Sequence, residues 1–195
     1  MMEDCQKNNP AGLRIDLIDP VSFSKDNVRQ GLTEAAVLVP LLQNGRGWEI
    51  LFTRRSNAVM HHKGQVSFPG GMAEPHDTGP VATALREANE EINIELDSVK
   101  IIGCLPDVIS ISNYWITPVV GVLESASKLF IRTDEVDKIF TVPVAFLSDS
   151  RNFYTEIRQL PSGEQAEVVF FKEYQGEQVW GITAAITREL INRFK

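Results

Sequence analysis

Cysteine is scarce in this chain, with two residues, Cys5 and Cys104, among 195. They stand far apart and show no metal-ligand spacing, which speaks against a disulfide-stapled secreted scaffold and against a zinc ribbon. They read as ordinary reduced thiols. Long hydrophobic runs are also missing. The longest, 35–42 and 116–123, are each interrupted by proline and too short to cross a bilayer. Positive charge is in deficit as well: 19 Lys and Arg against 26 Asp and Glu leave a net charge of −7. A sequence-independent grip on nucleic acid needs a basic surface, so that partner is not expected. The first ten residues hold no apolar core that could serve as a signal peptide. These absences predict a cytoplasmic protein without membrane or nucleic-acid partners.

What is present is the composition of an ordinary globular domain, 43% hydrophobic and 23% charged. A chain of this length buries a full core unaided. No internal repeat or low-complexity tract divides it. Residues 1–30 are polar and mixed and read as an N-terminal arm; residues 31–195 read as a single domain. The β-branched run Ala35–Leu42 and the run Trp48–Arg54 flank an Asn44-Gly45 turn, which predicts a β-hairpin. Ser56 to Gly79 is glycine-punctuated and without period, and a loop of that length is usually functional. Val81, Ala84, Leu85, Ala88 and Ile92 then form an apolar stripe at helical spacing. Pro80 suits the helix's first turn, and Asp77 or Thr78 is placed to cap it. Strands are expected at Val99–Leu105, Ile116–Leu123, Phe153–Leu160 and Val168–Tyr174, with Pro118 and Pro143 at edges, bulges or strand starts. Thr183–Phe194 closes the chain as an amphipathic helix buried through Ile186, Leu190, Ile191 and Phe194. That element order predicts an α+β fold, a mixed sheet between helices.

The chemistry concentrates on the first helix. Glu87 and Glu91 stand one turn apart, and Glu90 borders the same face. Carboxylates at this spacing repel by roughly 0.2–0.5 kcal/mol per pair. The positions four residues either side of Glu91 are Glu87 and Glu95, so no cation relieves it there. A hard divalent ion would turn the repulsion into coordination. A Glu-rich helix alone is most often a solvated face. Here it follows Phe68-Pro69-Gly70-Gly71, where paired glycines let backbone approach a ligand closely.

In that order the residues resemble the Nudix box, G-x5-E-x7-R-E-U-x-E-E-x-G-U with U aliphatic; Arg86-Glu87-Ala88-Asn89-Glu90-Glu91 is similar to its R-E-U-x-E-E core. The resemblance implies a pyrophosphohydrolase using Mg2+ or Mn2+, with Glu87, Glu91 and Glu90 as metal ligands and Arg86 orienting them. Two departures stand out. The gap from Gly71 to Arg86 is one residue longer than the general box, with Asp77 where the first glutamate is expected. The box glycine is Asn93, the commonest substitute where a helix ends with positive φ.

The longer gap resembles the coenzyme A pyrophosphatase branch of the superfamily. So do Leu51-Phe52-Thr53-Arg54-Arg55-Ser56, against L-L-T-x-R-S, and Gly64-Gln65-Val66-Ser67-Phe68-Pro69-Gly70-Gly71, against G-Q-V-x-F-P-G-G. Gly103–Asp107, Thr117–Gly121 and Trp180–Ile186 are similar to the branch too. The branch implies a nucleoside diphosphate-type substrate, namely coenzyme A or its derivatives, cleaved to 3′,5′-ADP and a phosphopantetheine. Arg54, Arg55, Gln65, Gly70 and Gly71 are the substrate-binding candidates. An arginine usual in the branch is Met60 here, and the nearby cations Arg54, Arg55, His61, His62 and Lys63 are the residues able to replace it. The general base is Glu90 or, from a later loop, Glu135. Val108, Ile109, Ile111, Tyr114 and Trp115 are candidate wall residues. Another nucleoside diphosphate-X such as ADP-ribose, or a catalytically silent nucleotide-binding module, are the alternative readings, and a homodimer is open.

Overall fold

The computed structural model describes residues 15, 17, 31–57, 63–125, 129–160 and 163–194. The mixed sheet between helices is present. Strand β1 (Thr33–Asn44) turns back into β2 (Gly47–Arg55), with Asn44 opposite Gly47, as the Asn-Gly turn predicts. β1 also runs parallel to β7 (Tyr114–Leu123) over the whole length of β7, from Thr33 beside Tyr114 to Leu42 beside Leu123. The path β3 (Val66–Ser67), β2, β1, β7, β5 (Val99–Cys104) orders the sheet. β3 and β8 (Val136–Pro143) pair with β2, β4 (Gly70–Met72) with β1, and β5 and β6 (Val108–Ile109) with β7. β9 (Phe153–Gln159) and β10 (Gln165–Phe171) make a separate antiparallel ribbon.

Helix α1 (Pro80–Ile92) covers one sheet face. Its Ala84, Ala88 and Ile92 are fully buried against Ala36, Leu38, Leu51 and Val119. α3 (Gly181–Arg193) covers the other, with Ala184, Ile186 and Leu190 against Val39, Leu41, Ile50, Phe52 and Val120. Short α2 (Val144–Ser148) packs beside it through Leu147. Even-numbered residues of β2 face α3 and odd-numbered ones face α1, the period of two that separates Arg54 from Arg55.

Several expectations change. The stretch Ser56–Gly79 is not all loop, because β3 and β4 dock on β2 and β1. Gly79, not Asp77 or Thr78, caps α1, and it does so with no side-chain hydrogen bond. The strand expected at Val168–Tyr174 begins earlier, at Gln165. Strand β8 escapes a reading of periodicity because Asp137 and Lys138 interrupt its apolar pattern. Pro118 lies in the middle of β7, a central strand, not at an edge. Its carbonyl accepts from Leu105 N at 2.9 Å. Its nitrogen points the same way, into the gap between β5 and β6, where no ladder hydrogen bond is required. Asn93 does end α1 in the left-handed conformation, φ 56° and ψ 38°.

The arm lies largely outside the described residues. Ile15 bridges to Phe194, and Ile15 and Leu17 pack on the α3-side core. Cys104 is buried, and burial pushes its thiol up to about 11, so it is an inert core residue; Cys5 is outside the described residues. No helix among the described residues is long and apolar enough to cross a membrane.

Candidate active site

Arg86 is the hub. Its Nε donates to Asp77 Oδ1 at 3.2 Å and its Nη2 to Asp77 Oδ2 at 3.1 Å, a two-pronged grip on one carboxylate. Nη2 also donates to the Met72 carbonyl at 2.8 Å. Nη1 donates to Glu87 Oε1 at 2.9 Å and reaches Glu90 Oε2 at 3.5 Å, with Glu74 Oε1 at 3.7 Å. One planar cation thus ties the turn after β4 to the outer face of α1.

Asp77 is the anchor of that hub, and only its side chain's surroundings explain why. Its side chain is 3% exposed and accepts from Glu74 N and Thr83 Oγ1, each at 2.9 Å, besides Arg86. Burial works against its ionisation, but the hydrogen bonds from Arg86, the Glu74 N–H and Thr83 outweigh it and hold the carboxyl at about 2. In return the bond to Asp77, against the desolvation of the guanidinium, raises Arg86 above its already high range. The sequence shows Asp77 as a cap candidate and as the acid in the slot of the first box glutamate, but not as the anchor of Arg86.

Gly70 and Gly71 are constrained by close approach. A Cβ on Gly70, whose φ is 154°, would stand 2.4 Å from the Ala36 carbonyl. A Cβ on Gly71 would stand 2.7 Å from the Glu87 carboxylate. Backbone therefore abuts the acids directly, and burial raises the Glu87 carboxyl against the pull of Arg86.

Glu91, at the inner edge of α1, is 7% exposed. Burial pushes its carboxyl up to about 8, reinforced by the Glu87 charge and offset by Arg55 and by a hydrogen bond from the Gly70 backbone. Its Oε2 has no hydrogen-bond partner, and neither does the buried Nε of Arg55. Among the described residues these are the two buried side-chain polar atoms left unsatisfied, and they belong to residues that feel each other's charge. An unpaired buried carboxylate oxygen asks for a ligand.

Glu135 arrives from a loop that docks on the end of α1. Arg132 N donates to the Glu91 carbonyl at 2.9 Å and Phe130 N to the Ile92 carbonyl at 3.3 Å, satisfying helix-end acceptors. Ser56 N holds the Glu135 carbonyl at 2.7 Å, and the Glu135 carboxylate stands 3.6 Å from Arg55 Nη2. Its charge is felt at Glu91. An open cleft of about 480 Å³ lies along this loop, lined by Ser56, Arg132, Thr133 and Asp137 among others.

Among the described residues no three His, Cys, Asp or Glu side chains are grouped to hold a metal ion. Glu90 is turned to Arg86 and more than half exposed. The pair that remains, Glu87 and Glu91, with an orphaned oxygen on the buried Glu91, fits a magnesium-type ion that takes one or two carboxylates and completes its shell with water and phosphate oxygens. Of the other candidates, Gln65 accepts from Arg55 N at 2.9 Å through its carbonyl. Arg54 points to the α3 side of the sheet, paired with Glu177. Tyr114 reaches Met72 Sδ at 3.9 Å, beside the carbonyl that Arg86 holds. The Trp115 indole donates to Asp107 at 2.7 Å, while Ile109 and Ile111 are exposed. Met60, His61 and His62 lie outside the described residues.

Comparison with known proteins agrees with this geometry. The NUDIX domain family model matches residues 32–173. An uncharacterized Nudix hydrolase NudL of Photorhabdus laumondii is 40% identical over 178 residues, covering 91% of this chain and 91% of the relative. The NudL of Pectobacterium atrosepticum is 38% identical over 157 residues, 80% of each. Among solved structures, a MutT/nudix family protein from Enterococcus faecalis is similar in fold, with TM-score 0.53 and 13% identity over 89% of this chain and 64% of that one. A NUDIX hydrolase from Alicyclobacillus acidocaldarius gives TM-score 0.51 and 17% identity over 83% and 91%. The chain belongs to the Nudix hydrolase family, enzymes that act on pyrophosphate bonds.

Proposed function

We propose that this hydrolase cleaves the diphosphate of coenzyme A or its derivatives, releasing 3′,5′-ADP and a phosphopantetheine. The observation that carries the chemistry is the buried, unsatisfied carboxylate oxygen of Glu91, a residue that feels the Glu87 charge and takes a hydrogen bond from the Gly70 backbone. The substrate assignment rests on the flanking segments Leu51–Ser56 and Gly64–Gly71, which are similar to the coenzyme A branch and which pack around the same acids.

Glu87 and Glu91 would hold the divalent ion. When bound, Mg2+ or Mn2+ neutralises the diphosphate and lowers the pKa of bound water. Arg86 aims Glu87 and favours its charged form, and Asp77 keeps Arg86 from swinging away. Arg55, with its free buried Nε, offers a charged donor to a phosphate oxygen. Glu135 would take the proton from the attacking water. Its contact with Arg55, at 3.6 Å, is looser than the hydrogen bonds at the Arg86 hub. Water attack on one phosphorus breaks the bridging P–O bond, and the leaving phosphate departs with the bridging oxygen.

The test is product analysis with purified protein, supplying coenzyme A, ADP-ribose and a nucleoside triphosphate with magnesium and with chelator. Metal-dependent release of 3′,5′-ADP supports the proposal. Turnover of ADP-ribose alone would keep the chemistry and overturn the substrate.

A further inference from the structure

Glu177 is 6% exposed, and one of its oxygens, Oε1, accepts from two cations at once: Arg54 Nη1 at 2.9 Å and Lys138 Nζ at 2.8 Å. Arg54 and Lys138 are cross-strand neighbours on β2 and β8. Glu177 comes from outside the sheet, on a tight turn closed by reciprocal backbone hydrogen bonds between Tyr174 and Glu177. That turn holds Gln175 at φ 52°, a conformation side chains other than glycine and asparagine rarely adopt. It lies beyond residue 173, where the match to the general family domain stops.

One cation neutralises a buried carboxylate. The second leaves a surplus positive charge and brings two like charges onto one oxygen, in a chain that is acidic overall. Both side chains reach solvent, Arg54 at 35% and Lys138 at 40% exposure. Among the described residues the Arg54 guanidinium makes one hydrogen bond, through Nη1, leaving Nε and Nη2 without a partner there, and the Lys138 ammonium has protons beyond the one given to Glu177. A guanidinium fork beside a point charge, both on partly exposed side chains, suits a group with several anionic oxygens.

We infer that Arg54 and Lys138, held by Glu177, form a subsite for a phosphate monoester, separate from the diphosphate-cleaving centre at Glu87 and Glu91. This deepens the coenzyme A reading and rests on it for the source of the ligand: the ribose 3′-phosphate of the substrate, which dephospho-coenzyme A lacks.

The experiment compares kcat/KM for coenzyme A and dephospho-coenzyme A in the wild type, Lys138→Met and Arg54→Lys. Lys138→Met leaves the Arg54–Glu177 pair to neutralise the buried acid, and a thermal melt checks that it folds. In parallel, inorganic phosphate alone is titrated into chelator-treated wild type and Lys138→Met by calorimetry. The wild type is expected to favour coenzyme A by roughly tenfold, carried in KM, and Lys138→Met to bring the ratio close to one. Arg54→Lys is expected to retain part of the preference. An unchanged ratio in a folded Lys138→Met protein overturns the proposal. Lys138-dependent phosphate binding without discrimination between the two substrates assigns the subsite to free phosphate and overturns the substrate assignment. If neither coenzyme is cleaved while another diphosphate is, the functional reading has failed. The phosphate titration then decides the subsite by itself, and equal binding by wild type and variant rejects it.

Discussion

Replacing Glu91 by glutamine separates stability from function at one atom. The carboxyl sits near 8 in the folded protein, against 4.5 as the ordinary value. A group whose folded pKa is raised stabilises the fold fully below its unfolded pKa, and that contribution is lost as pH rises through the folded value. The metal-free protein should therefore lose stability steadily between about pH 4.5 and pH 8. At pH 7 the unfolded chain has released this proton and the folded one has mostly kept it, a linkage cost of about 3 kcal/mol. Glutamine has no proton to lose and keeps an oxygen for the Gly70 N–H. Its amide replaces an oxygen that already lacked a partner, which takes back about 1 kcal/mol. In chelator at pH 7, Glu91→Gln should be about 2 kcal/mol more stable than wild type, a Tm rise of roughly 4–8 °C for a chain of this size. Its stability should be flatter than wild type between pH 5 and 8. With magnesium the order reverses: wild type gains stability by mass action and the variant gains little. Activity falls at least about 100-fold. Scanning fluorimetry across pH, with and without metal, reads all of this. A variant that melts below wild type in chelator, with the same pH slope, would refute the reasoning, because Glu91 would then be ionised and internally paired.

Asp77→Ala should strand Arg86 without its main partner, costing about 3–5 kcal/mol of stability together with most activity; a urea melt and an initial-rate assay check both, and a variant as stable and active as wild type would contradict the anchor role. Because Asp77 is held at about 2, its contribution should be intact above pH 4 and be lost as pH falls toward 2, so the acid limb of the wild-type stability profile should be absent in the variant. Gly71→Ala places a methyl against the Glu87 carboxylate, and the expected result is a fall in kcat of the order of 100-fold with a nearly unchanged Tm, since the flexible acid can yield but not stay aimed. Glu135→Gln should lower kcat by about 100-fold or more while leaving the metal-induced Tm shift in place; loss of that shift would make Glu135 a ligand.

The residues alone were enough for the hairpin at Asn44-Gly45, the stripe of α1 and the left-handed Asn93, because each depends on neighbours within a few positions. Turn chemistry, helical period and helix-end φ are local physics. What only the tertiary structure decided is partnership across distance. Nothing within four residues of Glu91 predicts that it is buried with an orphaned oxygen; that follows from β4 docking on β1 and bringing Gly70 against it. The local reading of Asp77 was a helix cap, and it lost to a guanidinium nine residues on, since a charge-assisted two-pronged bond outweighs a cap. Pro118 read as an edge residue because the gap between β5 and β6, which spares its missing N–H, exists only in the assembled sheet. Arg54 and Arg55 look interchangeable in a string of letters. The pleat of β2 sends them to opposite faces, one to Glu177 and one toward Glu91, and side-chain direction there is set by strand pairing.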